Sequence, residues 1–294
     1  MVIYPSLILG LFLCFCGMLA WNTVRPKLNH LQTTPLSAHK LPYEAVSYKS
    51  SDGVSLSGWL IPAGVAAPLG IIILCHGVDG TRLSVMREAI FLHRAGFSCL
   101  VFDFRGRGES GDAICTIGYK EVDDLLATVR FVATRPELKQ LPLGVFGHSQ
   151  GGAVALMAAA RESRISAVVA ESPFARLSNA INNHFRSKMG IVAPLFAYPV
   201  RWIGQAFIHA NVNDIAPVDE INKISPRPIF LIEDMADELC PPAETSALLA
   251  AAGNPKSIWR VPNAGHIQAG SVAPAEFEKR VTQFFRENLS GGSS

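Results

Sequence analysis

Ser149 sits at the centre of Gly147-His148-Ser149-Gln150-Gly151, a G-x-S-x-G pattern. An apolar run, Gly144 to Phe146, precedes it, and an Ala-rich stretch, Gln150 to Arg161, follows. That order is strand, tight turn, helix. Glycines on both sides let the backbone turn sharply and pass close to its neighbours. The turn lifts the hydroxyl clear of the strand. The helix start then supplies free N–H groups and partial positive charge beside it. The plainer alternative is a glycine-rich turn with an ordinary N-cap serine.

A serine hydroxyl becomes a useful nucleophile when a base takes its proton and a carboxylate orients the base. His266 is the only histidine after His209, and Gly265 places it in a loop just past the last apolar run. His148 adjoins the serine, but neighbouring residues on a tight turn point in different directions. His76 ends a buried run and suits a loop-holding role. Four carboxylates follow the Pro228 to Ile232 run: Glu233, Asp234, Asp237 and Glu238.

The elements that must position these groups alternate. Tyr43 to Pro62 reads as a β-hairpin turning at Ser51-Asp52-Gly53. Continuous apolar runs at Leu69 to Cys75, Phe97 to Phe104, Leu143 to Phe146, Ile165 to Ala170, Pro228 to Ile232 and Ser257 to Val261 read as strands. Runs of that kind suit strands covered on both faces. Helical spacing covers Leu83 to Ala95, Gly118 to Thr134, Gln150 to Arg161, Ala243 to Ala252 and Phe277 to Leu289. The pattern predicts an α/β fold: a mostly parallel central sheet with helices on both faces. Residues 173–220 break the alternation. They hold many large apolar residues and no clear strand, which predicts a small helical cap. The spacing of Trp202, Ile203, Ala206 and Phe207 there suits core packing, an acyl-chain pocket or a membrane-facing surface.

Val2 to Trp21 carries no charged residue. A spanning helix needs about 20 apolar residues, so residues 1–21 are expected to form a transmembrane anchor. A cleaved signal would require a basic start and a small-x-small site. Met18-Leu19-Ala20 is a poor one; cleavage would make the protein secreted or periplasmic. Arg25 and Lys27 follow the run and nothing basic precedes it, which favours a cytoplasmic catalytic domain on a single-pass anchor. Residues 22–42 read as a linker, 43–289 as the folded domain and 290–294 as a flexible tail. The chain of 294 residues is 49% hydrophobic and 17% charged, with formal net charge +2. That charge gives no electrostatic footprint for nucleic acid, and the composition excludes a mostly disordered chain. Six cysteines are too few and scattered for a disulfide scaffold.

From Tyr43 onward the sequence resembles the α/β-hydrolase superfamily, and within it the membrane-anchored, Bem46-like (ABHD-type) serine hydrolases. The resemblance rests on four blocks in order: His76-Gly77, Asp103-Phe104-Arg105-Gly106-x-Gly108-x-Ser110, Gly147-His148-Ser149-Gln150-Gly151-Gly152, and Asp237 followed by Gly265-His266. It implies an α/β-hydrolase fold and the triad Ser149, Asp237 and His266. Asp237 matches the acid because Cys240-Pro241 fall where Val-Pro stands in the family. Glu233-Asp234 replace the usual His-Gly and keep Asp234 as an outside candidate. The resemblance further implies an oxyanion hole from the backbone N–H groups of Gln150 and Val78. No metal and no cofactor is expected. The expected substrate is a small-molecule acyl ester or thioester, met at the membrane through the N-terminal helix. A prolyl-type serine peptidase, a tethered binding protein without catalysis and acyl transfer to an alcohol are the competing expectations.

Overall fold

The computed structural model describes residues 3–25 and 31–289. Lys27 and the tail 290–294 lie outside them. The chain opens with helix α1 (Ile3–Val24) and a short helix α2 (Pro35–His39). Strands β1 (Glu44–Lys49) and β2 (Ser55–Ile61) form the hairpin, with Glu44 opposite Leu60 and Lys49 opposite Ser55. Then come β3 (Ile71–Cys75), α3 (Met86–Arg94), β4 (Ser98–Phe102), α4 (Glu121–Thr134), β5 (Leu143–His148), α5 (Gln150–Arg161) and β6 (Ile165–Glu171). Three helices follow, α6 (Leu177–Met189), α7 (Ala193–Ile208) and α8 (Pro217–Glu220). The chain ends with β7 (Ile229–Asp234), α9 (Pro242–Ala251), β8 (Lys256–Val261), α10 (Ala269–Val272) and α11 (Pro274–Leu289).

The strands form one eight-stranded sheet in the order β1-β2-β4-β3-β5-β6-β7-β8. β1 and β2 are antiparallel; β3 to β8 pair in parallel. Burial on both faces explains the apolar runs. In β3, Ile71, Ile73 and Cys75 join the core under α4 and α5, while Ile72 and Leu74 join the core under α3 and α11. α11 buries Phe277, Val281, Phe285 and Leu289, one residue every four, which is one helical face. Gly144 is required where α11 crosses β5, because a side chain there would collide with Phe285 and Leu289.

Two features of this fold position the site. All parallel strands point their carboxyl ends to one edge, where the loops after β3, β5, β7 and β8 converge. α6 and α7 lie beyond that edge and share a third apolar cluster with α1: Cys16 and Ala20 pack with Phe185, Ala193, Ala197 and Val200. Of residues 22–42, the structure describes 22–25 and 31–42. Asn22 to Val24 continue α1, Val24 O accepts from Cys115 N at 2.7 Å, and α2 is capped by Thr34.

Candidate active site

Ser149 stands between β5 and α5 with φ +50° and ψ −115°. Positive φ in a non-glycine residue costs about 1–3 kcal/mol and persists only where the surroundings enforce it. Here Ser149 N donates to Glu171 O at 2.8 Å and Ser149 O accepts from Ala153 N at 3.0 Å. The flanking glycines permit the turn by their missing side chains. A Cβ at Gly147 would run into the backbone of Gly151, and one at Gly151 into the carbonyls of Cys75 and His76.

The loop after β8 brings His266 to the serine. Ser149 Oγ donates to His266 Nε2 at 2.9 Å, and His266 Nδ1 donates to Asp237 Oδ2 at 2.6 Å. The other Asp237 oxygen accepts from Leu239 N and Cys240 N, both at 2.8 Å. Burial works against the charge on Asp237, yet His266 and these amides hold its carboxyl below the ordinary value. Asp234 behaves oppositely. Burial, aided by the nearby Glu171, pushes it up to about 6. Its Oδ2 accepts from Ser172 Oγ at 2.8 Å and Gln268 N at 3.1 Å, so it braces the His266 loop without touching the imidazole. Glu233 pairs with Arg260 at 2.9 Å, and Glu238 is exposed.

His76 is a strut. Its Nδ1 donates to Gly77 O at 2.7 Å and its Nε2 accepts from Phe104 N at 3.1 Å. Burial lowers its pKa to about 4, which keeps it neutral as this pairing requires. The Asp103-to-Ser110 loop is likewise held from within: Asp103 accepts from Arg82 N at 2.7 Å and Glu109 N at 2.9 Å. Asp237, Cys240 and His266 do bring potential ligand atoms within 4.8 Å of one another. Hydrogen bonding accounts for the grouping, since Asp237 is engaged by His266 and two amides. Burial raises the Cys240 thiol well above its ordinary value.

A cavity of about 510 Å³ opens over Ser149, with Val78 and Gln150 in its lining. Gln150 is the first residue of α5, so its N–H has no helical acceptor. Among the described residues, neither that amide nor the Val78 N–H is engaged in a hydrogen bond.

A family model for the alpha/beta hydrolase fold matches residues 70–197. An esterase of Pyrococcus furiosus, Pf2001, superposes with a TM-score of 0.76 at 27% identity, covering 91% of this chain and 98% of the esterase. This chain has the α/β-hydrolase fold. The uncharacterized Escherichia coli (strain K12) protein YfhR is 27% identical over 251 residues, 84% of this chain and 78% of that protein. The uncharacterized Bacillus subtilis (strain 168) protein YqkD is 25% identical over 219 residues, 72% of this chain and 70% of that protein. Together these support a place in the α/β-hydrolase superfamily and a hydrolase with esterase neighbours.

Under the turn of this α/β-hydrolase fold lies a charge cluster with no local signal in the sequence. His148 Nδ1 is 2.7 Å from Glu171 Oε2, and its Nε2 is 3.6 Å from Glu88 Oε2, all three buried. The ring therefore turns away from Ser149. Burial opposes its charge, but the two carboxylates outweigh burial and push its pKa up to about 10. Glu171 Oε1 also accepts from Ala269 N at 3.1 Å, which ties the cluster to the His266 loop. An unfolded histidine titrates near 6.5, so the stabilisation is full below that pH and is lost as pH rises toward 10. His148→Ala is expected to cost about 3–5 kcal/mol near pH 6, because it strands buried carboxylates. Urea unfolding of wild type and variant from pH 6 to 10 checks this. The wild-type stability should fall across that window more steeply than the variant's.

Proposed function

We propose that the chain is a serine hydrolase of esterase or lipase type, acting on a carboxylic ester or thioester. The observation that carries this reading is the hydrogen-bonded chain from Ser149 Oγ through His266 to Asp237, at 2.9 and 2.6 Å, opening into one cavity. Ser149 Oγ attacks the carbonyl carbon while His266 Nε2 takes its proton. The carbonyl oxygen becomes an oxyanion held by the N–H groups of Val78 and Gln150. A missing donor of this kind typically costs about 2.7–4 kcal/mol of transition-state stabilisation. His266 then protonates the leaving alcohol or thiol, which departs and leaves an acyl-Ser149 ester. Water, activated by His266, cleaves that ester and restores the serine. Asp237 fixes the Nδ1–H tautomer and stabilises the imidazolium; it does not take the proton. The apolar α1 makes a membrane-anchored, Bem46-like (ABHD-type) enzyme the finer form of this reading.

Fluorophosphonate labelling of the purified protein tests it, with mass spectrometry of the modified peptide and a p-nitrophenyl ester series alongside. An adduct on Ser149 together with ester turnover is the expected result. Folded protein that takes no adduct would refute the reading and favour a binding protein.

A further inference from the structure

One wall of the cavity over Ser149 comes from α1. Leu19, Ala20, Asn22, Thr23 and Val24 line it, facing Ile181 and Phe185 of α6 and Val200 and Ile208 of α7. Cys16, Ala20 and Val24 recur every four residues on a single buried face of α1. Their small size lets α1 lie close to α7. Phe12 meets Phe196 with ring centroids 5.4 Å apart, and Trp21 meets Phe207 at 5.3 Å, so the two helices run in the same direction. The C-terminal end of this wall is pinned to the domain. Cys115 N donates to Val24 O at 2.7 Å, and Arg25 pairs with Asp112 at 2.7 Å.

The outer surfaces of the same elements are apolar. On α1, Leu7, Leu11, Phe15 and Met18 are exposed. On the cap, Ile191 is 96% exposed, Leu195 60%, Tyr198 59% and Trp202 73%. Leu195, Tyr198 and Trp202 follow helical spacing on α7 and form one stripe, and Ile191 lies in the turn just before it. The two surfaces adjoin, because Phe12 and Phe15 both pack on Phe196. A contiguous patch of this kind on a soluble surface marks a binding or membrane face. α1 commits it to the membrane, since its 20-residue stretch Pro5–Val24 has mean hydropathy 2.0 and is mostly unburied. Arg186 and Lys188 lie in the last turn of α6, and Lys188 also lines the cavity. Their long stems can keep the charges at headgroup level.

We propose that α1 is part of the substrate site as well as an anchor. It walls a channel with α6 and α7 that accepts the long acyl chain of a membrane-dissolved ester directly from the leaflet. The carbonyl then lies at Ser149 while the chain follows a lining that is mostly apolar, with Asp79, Lys188 and Arg201 also contributing to it. This inference rests on the serine-esterase reading. The amphiphile slides along the α1–α7 face and never has to leave lipid for water.

The test uses the full chain in phosphatidylcholine vesicles and a long-chain alkyl fluorophosphonate with a diazirine at the chain end. Ser149 Oγ bonds to phosphorus, fluoride leaves, and His266 takes the serine proton. Photolysis then marks where the chain end lies. Cross-links within residues 19–24 and in α6 or α7 are expected. A Ser149 adduct whose chain end cross-links elsewhere overturns the channel. No Ser149 adduct in folded protein overturns the esterase reading, and the channel with it. A second arm compares kcat/KM for p-nitrophenyl decanoate and acetate. Ala20→Trp fills the wall and should lower the decanoate-to-acetate ratio at least about 10-fold. Leu9→Trp, on the exposed part of α1, should leave that ratio within about twofold. An unchanged ratio in an Ala20→Trp protein that still labels at Ser149 counts against the channel.

Discussion

Replacing Ser149 by alanine is expected to lower ester kcat/KM by about 10⁴- to 10⁶-fold while the protein still folds. The loss is large because, in the proposed mechanism, the serine and histidine act as one unit. Without Oγ, His266 Nε2 has no nucleophile to deprotonate, and only the Val78 and Gln150 amides still favour the oxyanion. The stability side of the prediction is sharper with a second variant. Ser149 is held at φ +50°, where a side chain is strained and glycine is not. Ser149→Gly should therefore be more stable than Ser149→Ala by about 1 kcal/mol, after subtracting the greater freedom of glycine in the unfolded chain. Both should be inactive. Thermal unfolding and ester turnover on the three proteins check this together. An alanine variant retaining more than about a tenth of wild-type turnover would remove Ser149 from the mechanism.

The strands that build this site are legible in the sequence for a physical reason. Ile71–Cys75 and Ser98–Phe102 are buried on both faces, so they read as unbroken apolar runs and not as alternation. The turn at Ser149 is legible because it needs glycine wherever backbone meets backbone, at Gly147 and Gly151. The acid is less so. Four carboxylates fall between positions 233 and 238, and composition cannot say which one the loop turns inward. The structure puts Asp237 against His266 and Asp234 against Ser172 and Gln268. Glu88 and Glu171 carry no local mark, since their common partner His148 lies 60 residues from one and 23 from the other. The packing of α1 is equally hidden. An uncharged apolar helix looks the same in sequence whether its small residues face lipid or a cap, and only the buried stripe of Cys16, Ala20 and Val24 separates the two.

Asp237→Asn is expected to lower kcat by about 10⁴-fold, with KM changed by less than about threefold. The hydrogen bonds around the carboxylate determine why. Its Oδ1 accepts from the amides of Leu239 and Cys240, both at 2.8 Å. An asparagine must keep its oxygen there, because an NH₂ group would face two donors. Its NH₂ then occupies the Oδ2 position, 2.6 Å from His266 Nδ1. A donor at that point forces Nδ1 to accept and places the imidazole proton on Nε2. Nε2 can then no longer take the Ser149 proton, although every heavy atom stays near its place. Asp234→Asn is the control. Its carbonyl oxygen can still accept from Ser172 Oγ and Gln268 N, so the His266 loop keeps its brace and kcat should fall by less than about 10-fold. Steady-state kinetics on both variants separate the two carboxylates. Equal losses would mean that loop geometry, not the His266 tautomer, limits the reaction.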